Sequence, residues 1–264
     1  MESTAPSLRK CWAVQRRVIG ALFMREVITR YGRHNIGFLW LFAEPMAFTL
    51  GVAALWTMMS RLHHSDLPII AFALSGYSSV LLWRNMPSRC IKAVEPNLAL
   101  MYHRNVTVLD IYLSRTMLEA VGATISFVVL SLVFIFLGTM KPPEDILKVT
   151  LAWTLLAWFG FSLAILLGAY TETHPSLEKI WSPFSYILFP LSGAAFLVDS
   201  FPPDVQEKLL LIPMVNGVEM LRDGYFGSAI TTHYDVFYLL LWCGVLSALG
   251  LAKVRVVSRA VTAE

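Results

Sequence analysis

Charged residues are scarce in this chain of 264 residues: they make up 15% of it, whereas hydrophobic residues make up 56%. An ordinary soluble domain carries about 25% charged residues, so this sequence has too few to cover a water-soluble globule. The apolar residues fall in runs of about 20, the length of helix that crosses the hydrocarbon core of a bilayer. The composition therefore predicts an integral membrane protein.

Cysteine is rare as well, with three residues, Cys11, Cys90 and Cys243. None of them has metal-ligand spacing, and the topology below puts the first two in the cytoplasm, so we expect no structural disulfide. The sequence also lacks the H-x-H and H-E-x-x-H patterns, a Ser-His-Asp arrangement and paired carboxylates. Adjacent His63 and His64 could bind a metal weakly, but a solvent-facing turn is the favoured interpretation. We therefore expect no catalytic residue, no cofactor and no metal in this chain. The first 17 residues are polar and basic, which predicts that no cleavable signal peptide is present.

Two kinds of energy-coupling machinery are missing from the sequence. It contains no G-x-x-x-x-G-K-[ST] loop, so ATP would have to bind to another chain. Only Glu44 lies well inside an apolar run, whereas a proton relay across a bilayer needs several such groups. A secondary transporter is thus disfavoured. Glu44 is a candidate functional residue, and its alternative role is structural, as the partner of Arg30, Arg33 or an interfacial donor near the start of the helix.

Six apolar runs predict an all-α membrane protein with six transmembrane helices. The runs cover residues 36–60, 67–83, 117–137, 149–170, 180–198 and 236–252. Pro183 and Pro190 interrupt the fifth run, which a membrane helix tolerates where neighbouring groups satisfy the freed carbonyls. No repeat or low-complexity tract divides the chain, so we treat residues 1–264 as one domain.

Lysine and arginine are distributed unevenly between the two sides of this topology. The two tails and the loops 84–116 and 171–179 hold 16 of them, and the opposite side holds 5. The positive-inside rule therefore predicts that both termini are cytoplasmic. The excess of positive charge on this face indicates contact with anionic lipid rather than with nucleic acid.

Two cytoplasmic segments are predicted to have structure of their own. Residues 8–33 contain an amphipathic helix whose arginines lie off its apolar face, which predicts a helix lying on the cytoplasmic leaflet. The loop 84–116 is long for a connection and predicts a docking element with a short helix over 97–103. The alternatives are a helix packed on a soluble domain and a passive linker.

The outer segment 199–235 is too apolar for a free loop. Its prolines predict two short helices, over 204–211 and 217–225, that dip into the outer leaflet as a re-entrant hairpin. Irregular backbone at that depth is allowed only against protein or a water-filled cavity, so the hairpin is expected to cap a pathway. The alternative is a loop lying on the membrane surface.

Aromatic residues make up 12% of the chain. Some belong to interface belts, but six lie deeper or are less easily explained. Because sugar rings stack on aromatic faces, these six are candidates for a glycan path. They are Trp40, Tyr77, Trp153, Trp158, Phe159 and Tyr186. For each one, packing against neighbours or lipid is the alternative.

Three stretches of the chain resemble ABC-2 type permeases. The pattern R-Y-x-x-x-x-x-G-x-x-W-x-x-x-x-P runs from Arg30 to Pro45, after the amphipathic helix. The stretch NLALMYHRNVTVLD at 97–110 resembles the cytoplasmic coupling loop of the capsular polysaccharide export branch. The stretch LIPMVNGVEMLRDGYFG at 211–227 resembles the segment that precedes the last helix of that family. The resemblance covers nearly the whole chain.

This resemblance implies the inner-membrane permease of a group 2 capsule exporter. Such a permease is a homodimer with the pathway between protomers, and two separate subunits bind ATP and Mg²⁺ and dock on the coupling loops. The implied cargo is a lipid-linked capsular polysaccharide. Anionic lipid, a periplasmic adaptor and an outer-membrane channel are the further partners implied, in the bacterial inner membrane.

The resemblance also implies roles for residues in this sequence. By position, coupling to the ATPase is expected at Glu95, Pro96, Asn97, Tyr102, His103 and Arg104. The anionic lipid end of the cargo is expected near Arg16, Arg17, Arg25, Arg30, Arg33 and Glu44. The periplasmic gate is expected at Pro213, Glu219, Arg222, Tyr225 and Phe226.

Three alternatives stay open at this point. The same fold could carry O-antigen, teichoic acid or a small-molecule drug, although the long basic N-terminal helix disfavours a drug exporter. A membrane-embedded lipid or sugar transferase would need a catalytic cluster at one membrane face, and Asp223 stands alone. A secondary transporter would need the proton relay that the chain lacks.

Overall fold

The computed structural model describes residues 8–32, 35–60, 68–102 and 106–263, and these form an all-helical fold, as predicted. No strand occurs within these ranges. The helices of the described residues are α1 (Leu8–Tyr31), α2 (Asn35–Ser60), α3 (Ile69–Cys90), α4 (Leu98–Met101), α5 (Val108–Phe136), α6 (Ile146–Thr173), α7 (Ser176–Leu191), α8 (Pro203–Leu210), α9 (Pro213–Phe226) and α10 (Val236–Ala263).

In the described part of the chain, three helices are long and apolar enough to cross a membrane: α5, α6 and α10. α5 and α6 contain 29 and 28 residues. At about 1.5 Å per residue, both exceed the roughly 30 Å of a bilayer's hydrocarbon core. These three helices lie at the predicted third, fourth and sixth spans. The six-span topology and its orientation remain predictions.

α7 ends earlier than the predicted fifth span. The prediction extended to residue 198, whereas the helix stops at Leu191. Pro183 and Pro190 lie within it, and each lacks the N–H that would bond to the preceding turn. Gly193 then adopts φ +83°, a left-handed conformation that turns the chain away from the helix axis. The 16 residues of α7 span only about 24 Å at 1.5 Å per residue.

The outer segment forms the two short helices that the sequence predicted. α8 covers nearly the predicted range, and α9 begins at Pro213, four residues before the predicted start. Proline ends the preceding helix and favours the first turn of the next one, because its missing N–H has no helical partner there. α9 is buried along almost its whole length and packs against α6. Whether this segment is re-entrant stays a prediction.

α3 lies at the centre of the fold, and every residue from Ala71 to Trp83 is buried. It packs against α2, α5 and α6. Glycine allows α6 to approach it closely: a Cβ on Gly160 would lie 2.7 Å from the Trp83 Cα, which is closer than real Cβ atoms come. Small residues are typical of close packing between membrane helices.

Replacement of Gly160 with alanine should separate α3 from α6 and lower stability. The added methyl group meets backbone, which cannot rotate away, and overpacking of this kind costs about 1–3 kcal/mol. Thermal unfolding of the detergent-solubilised chain measures the effect. Gly244→Ala is the matched control, because a Cβ on Gly244 meets nothing within 4 Å. Equal midpoints for the two variants would contradict the close approach.

Candidate functional site

The coupling segment, residues 91–107, is shorter than the loop predicted between α3 and α5, because both helices extend into it. A 3-10 turn over Glu95–Asn97 leads into α4, where the short helix was predicted. Glu95 and Pro96 are exposed, and Tyr102 is 89% exposed. His103 and Arg104 lie outside the described residues. The segment therefore presents an acidic and an aromatic side chain that are available to a partner.

Asn97 fastens the coupling segment to the rest of the molecule. It is buried, its Nδ2 donates to the Ala93 carbonyl at 2.7 Å, and its Oδ1 accepts from Arg25 of α1. Next to it, the backbone N–H of Val94 donates to the Glu172 carboxylate of α6 at 3.1 Å. The segment is thus held by α1 and α6 while its outer side stays exposed.

Lys92 adds a surface contact at the start of this segment. Its backbone has φ +49°, and its Nζ lies 2.6 Å from the Glu178 carboxylate of α7. The hydrogen bond to that carboxylate raises the pKa of Lys92. Both side chains are well exposed, so the pair contributes little to stability. Its geometry connects the segment to α7.

α1 is joined to α5 by a series of polar contacts along its length. Gln15 donates to Asp110, and Asp110 also forms the capping box with Thr107 at the start of α5. One turn further along α5, the Arg115 Nε donates to Glu26 at 3.1 Å. The apolar face of α1 is divided: Leu22 and Val27 are buried, whereas Trp12 is 72% exposed. The predicted position of α1 on the leaflet remains a prediction.

The basic residues predicted to meet the lipid do not form one cluster. Arg16 and Arg17 are exposed on α1, whereas Arg25 bonds to Asn97 and Arg30 pairs with Glu119 of α5. Arg33 lies outside the described residues. Arg16 and Arg17, which are exposed, therefore have different surroundings from Arg25 and Arg30, which bond to other elements of the protein.

Glu119 was not among the candidate residues predicted from the sequence, although it lies near the start of a predicted span. Its carboxylate accepts hydrogen bonds from Arg30 and, at 3.0 Å, from the Arg89 Nε. The sequence analysis considered Glu44 as an ion-pair partner of Arg30, and in the structure Glu119 is such a partner. An acidic residue at the edge of an apolar run was the available signal. Its importance depends on arginines from two other helices, which spacing along the chain does not reveal.

A cavity of about 200 Å³ lies among α1, α2, α3 and α5. We call it the arginine cavity. Its polar lining is formed by Arg30, Glu44, Arg84, Asn85, Arg89 and Glu119. Glu44 is exposed and shares this cavity with Arg30. The structure thus brings two of the predicted lipid-contacting residues together and adds three polar neighbours from α3 and one from α5.

The six aromatic candidates lie in different surroundings within the described protomer. Trp40 and Tyr186 are 60% and 67% exposed, and Trp158 is partly exposed with its Nε1 donating to Ser247 at 3.0 Å. Phe159 is buried against Trp83.

Two further candidates pack in aromatic clusters. Trp153 stacks on Phe127 with ring centroids 4.6 Å apart. Tyr77 is buried beside Phe189, with a centroid distance of 5.3 Å, and beside Trp56. Their role in a glycan path stays a prediction.

Glu219 and Arg222, two of the predicted gate residues, are fully buried. The Arg222 guanidinium donates to the carbonyls of Gly193 and Ala194, both at 2.6 Å, and to that of Phe196. These carbonyls belong to the turn that follows α7. Arg222 therefore holds α9 against the end of α7.

Glu219 has backbone partners of its own, one at the end of the same turn and one after α9. Its carboxylate accepts from the N–H groups of Val198 and His233, both at 3.3 Å, and lies 3.9 Å from the Arg222 Nη1. Burial raises the pKa of Glu219, with Arg222 opposing the shift, and lowers the pKa of Arg222 to about 9. Each charge thus depends on hydrogen bonds with backbone groups to remain buried: Arg222 donates to carbonyls and Glu219 accepts from N–H groups.

The surroundings of this pair include residues that sequence reasoning did not single out. The guanidinium carbon of Arg222 lies 3.8 Å from the centre of the Phe72 ring. A Cβ on Gly76 would lie 2.4 Å from the Ala194 carbonyl oxygen, so α3 accommodates the turn only because glycine stands there. Nothing in the local sequence of α3 indicates this approach.

The other gate candidates complete the packing of α9. Pro213 starts the helix, and Tyr225 and Phe226 are buried at its end. The Tyr225 hydroxyl donates to the Lys141 carbonyl at 2.6 Å, which connects α9 to the turn between α5 and α6. The predicted gate residues therefore lie on one element, and their gating role stays a prediction.

Comparison with known proteins gives consistent matches over nearly the full length. Residues 17–226 match the family described as ABC-2 type transporter. The chain is 45% identical to the capsule polysaccharide export inner-membrane protein CtrC of Neisseria meningitidis serogroup B, over 94% of each chain. It is 39% identical to the capsule polysaccharide export inner-membrane protein BexB of Haemophilus influenzae, over 97% of this chain and 96% of the relative. It is 26% identical to the polysialic acid transport protein KpsM of Escherichia coli, over 94% and 96%.

Replacement of Arg222 with glutamine should destabilise the protein strongly. The substitution removes hydrogen bonds to three carbonyls and leaves the buried Glu219 carboxylate without its counter-charge, a loss that costs about 3–5 kcal/mol for buried pairs. Thermal unfolding in detergent measures the effect, and Arg255→Gln at an exposed position of α10 is the control. An Arg222→Gln midpoint equal to that of the control would refute the role assigned to this arginine.

Proposed function

The chain belongs to the ABC-2 type transporter family, and on that premise we propose that it is the membrane-spanning subunit of an ATP-driven exporter of lipid-linked capsular polysaccharide. The observation that carries this proposal is the 45% identity to a capsule polysaccharide export inner-membrane protein over 94% of the chain. Among the described residues, three helices are long and apolar enough to cross a bilayer, which agrees with a membrane subunit. The proposed location is the bacterial inner membrane, with both termini cytoplasmic.

ATP and Mg²⁺ bind, in this proposal, to two copies of a separate subunit. The support is that the 264 residues contain no phosphate-binding loop, while the coupling segment offers exposed Glu95, Pro96 and Tyr102. An exposed aromatic residue is a typical anchor in protein interfaces. Movement of the docked subunits would be transmitted to α1 through the hydrogen bond between Arg25 and Asn97.

The polysaccharide crosses the membrane, in this proposal, at the seam between two copies of the chain. The anionic lipid end approaches from the cytoplasmic leaflet near Arg16, Arg17 and the arginine cavity. The glycan then slides along exposed aromatics such as Trp40 and Tyr186. The segment 199–235, held together by Glu219 and Arg222, caps the pathway, and a periplasmic adaptor and an outer-membrane channel continue it.

ATP hydrolysis by the assembled complex tests this proposal. The chain should co-purify with the ATP-binding subunit encoded beside its gene, and hydrolysis should change when lipid-linked capsular glycan is added. Lipid-free glycan is the control for recognition of the lipid end. A complex that ignores this glycan but responds to another cargo would keep the family and refute the substrate. Failure to form any complex would refute the exporter assignment.

Replacement of Tyr102 with alanine should weaken binding of the ATP-binding subunit. Truncation of an aromatic anchor commonly costs at least about 2 kcal/mol, which corresponds to a more than tenfold loss of affinity. The dissociation constant of the two purified subunits measures the effect. Phe136→Ala is the matched control, because Phe136 is 93% exposed at the far end of α5. Equal affinities for the two variants would exclude Tyr102 from the interface.

A further inference from the structure

We infer that Glu172 is a positioning residue that connects the coupling segment to the outer segment 199–235 through α6. The inference rests on the proposed function, because it concerns how a movement of the ATP-binding subunits reaches the opposite end of the chain. Three features of α6 carry it. The last turn holds the coupling segment, the first turn holds the outer segment, and the helix between them is unbroken.

The last turn of α6 holds the coupling segment by its backbone. The Glu172 carboxylate accepts from the N–H of Val94 at 3.1 Å. Four residues earlier on the same face of the helix, Gly168 lets α6 lie against the end of α3: a Cβ there would lie 3.0 Å from the Cys90 carbonyl oxygen. A hydrogen bond to a carboxylate is among the stronger ones in proteins. Glu172 therefore fixes the position of the coupling segment relative to α6.

The opposite end of α6 is joined to α9 in the outer segment. Just before the helix, the N–H groups of Glu144 and Asp145 donate to the carbonyls of Tyr225 and Gly224, at 3.3 and 2.9 Å. The two helices also approach closely there, because a Cβ on Gly224 would lie 2.8 Å from the Val149 backbone nitrogen. The end of α9 is thus fixed to the start of α6 by backbone contacts.

Asp223, which stands alone in the sequence, adds a side-chain contact at this end. Its carboxylate lies 2.8 Å from the Nζ of Lys148 in the first turn of α6 and accepts from the Tyr234 hydroxyl at 2.7 Å. Tyr234 precedes α10, so one carboxylate joins α6, α9 and the chain that enters α10. A displacement of the first turn of α6 would therefore displace the outer segment with it.

α6 connects these two ends without a break. It runs from Ile146 to Thr173 with no proline, and its 28 residues span about 42 Å. α3 also ends at the coupling segment, but Pro87 lies three residues before its end, and α7 contains Pro183 and Pro190. Helices bend at proline, because it removes a backbone donor and clashes with the preceding turn. α6 is therefore the stiffer link between the two segments.

Glu178 provides a comparison at the same end of the bundle. Its carboxylate also contacts the coupling segment, 2.6 Å from the Lys92 Nζ, but it belongs to α7 and both side chains are well exposed. An exposed ion pair contributes little to stability. If movement passed along α7 rather than α6, Glu178 would be the residue on which it depends. The two carboxylates thus separate the two routes.

Hydrogen–deuterium exchange in the assembled complex tests the inference. The full-length chain is purified with the ATP-binding subunit, and exchange of backbone amides is measured with and without a non-hydrolysable ATP analogue. The analogue should change exchange in the coupling segment and in residues 199–235; the second change we call the outer response. Exchange reports local opening of the backbone, so it follows each segment separately. A change confined to the coupling segment would contradict the inference.

Glu172→Ala should separate the two changes. Loss of the carboxylate makes attachment of the coupling segment about tenfold less favourable, the size of effect given by one hydrogen bond to a charged group. The coupling segment should still respond to the analogue, whereas the outer response should fall several-fold. Glu172→Gln keeps an acceptor oxygen and should restore part of it. Thermal unfolding checks that both variants are folded. A full outer response in folded Glu172→Ala would overturn the inference.

Glu178→Ala is the matched control, because it also removes a carboxylate that contacts the coupling segment. Both changes in exchange should persist in this variant. Loss of the outer response in Glu178→Ala, with a full response in Glu172→Ala, would assign the transmission to α7 and refute the role of α6.

Lys148→Ala examines the other end of the helix. It removes the contact with Asp223 but leaves the two backbone hydrogen bonds, so the outer response should fall less than in Glu172→Ala. Lys141→Ala, at an exposed position in the turn before α6, is its control and should keep the full response. Equal outer responses in the two lysine variants would remove Lys148 and Asp223 from the proposed link.

The same preparation distinguishes this inference from the proposed function. A chain that forms no complex with the ATP-binding subunit would refute the exporter assignment and, with it, the link through α6. A complex whose ATP hydrolysis responds to lipid-linked glycan, but whose outer response is the same with and without the Glu172 carboxylate, would overturn this inference alone.

Discussion

The structure depends on one constraint: a charge buried among helices must find its partners within the protein, because hydrocarbon supplies none. At one end of the bundle Arg222 meets this requirement with three backbone carbonyls, and Glu219 meets it with two backbone N–H groups. At the other end, the partly buried Arg115 bonds to Glu26 and to the Arg89 carbonyl. In each case the partners lie on other elements, so satisfying the charge also fixes how those elements are arranged.

The sequence predicted the elements better than their contacts. Long apolar runs identified α5, α6 and α10, because a helix of this length must be apolar to cross a bilayer. The resemblance to a family selected Glu219 and Arg222, but not their burial or their partners at residues 193–198 and 233. Those partners are carbonyls and N–H groups, which every residue carries, so side-chain identity does not single them out. Gly76 is similar, since its importance comes from the chain that packs on it.

α1 shows a second limit of prediction from the sequence. A helical wheel separates apolar from charged positions, but it does not tell which charged residues face protein. Arg25 and Arg30 bond to the coupling segment and to α5, whereas Arg16 and Arg17 are exposed, although all four are arginines on one helix. α1 consequently touches both the coupling segment and the arginine cavity. A displacement of that segment would change the position of Arg30, and with it the shape of the cavity.

The two charged networks also differ in how far apart their members are in the chain. The hydrogen bonds of Glu219 and Arg222 to backbone groups join residues 14 to 29 positions apart. The contacts of α1 join residues 72 to 95 positions apart. Closing a short loop costs less entropy than closing a long one. During synthesis α1 must wait for α5 before its Glu26 and Arg30 can meet Arg115 and Glu119. The hydrogen bonds of Glu219 and Arg222 to backbone groups can all form as soon as residue 233 has been made, before α10 is complete.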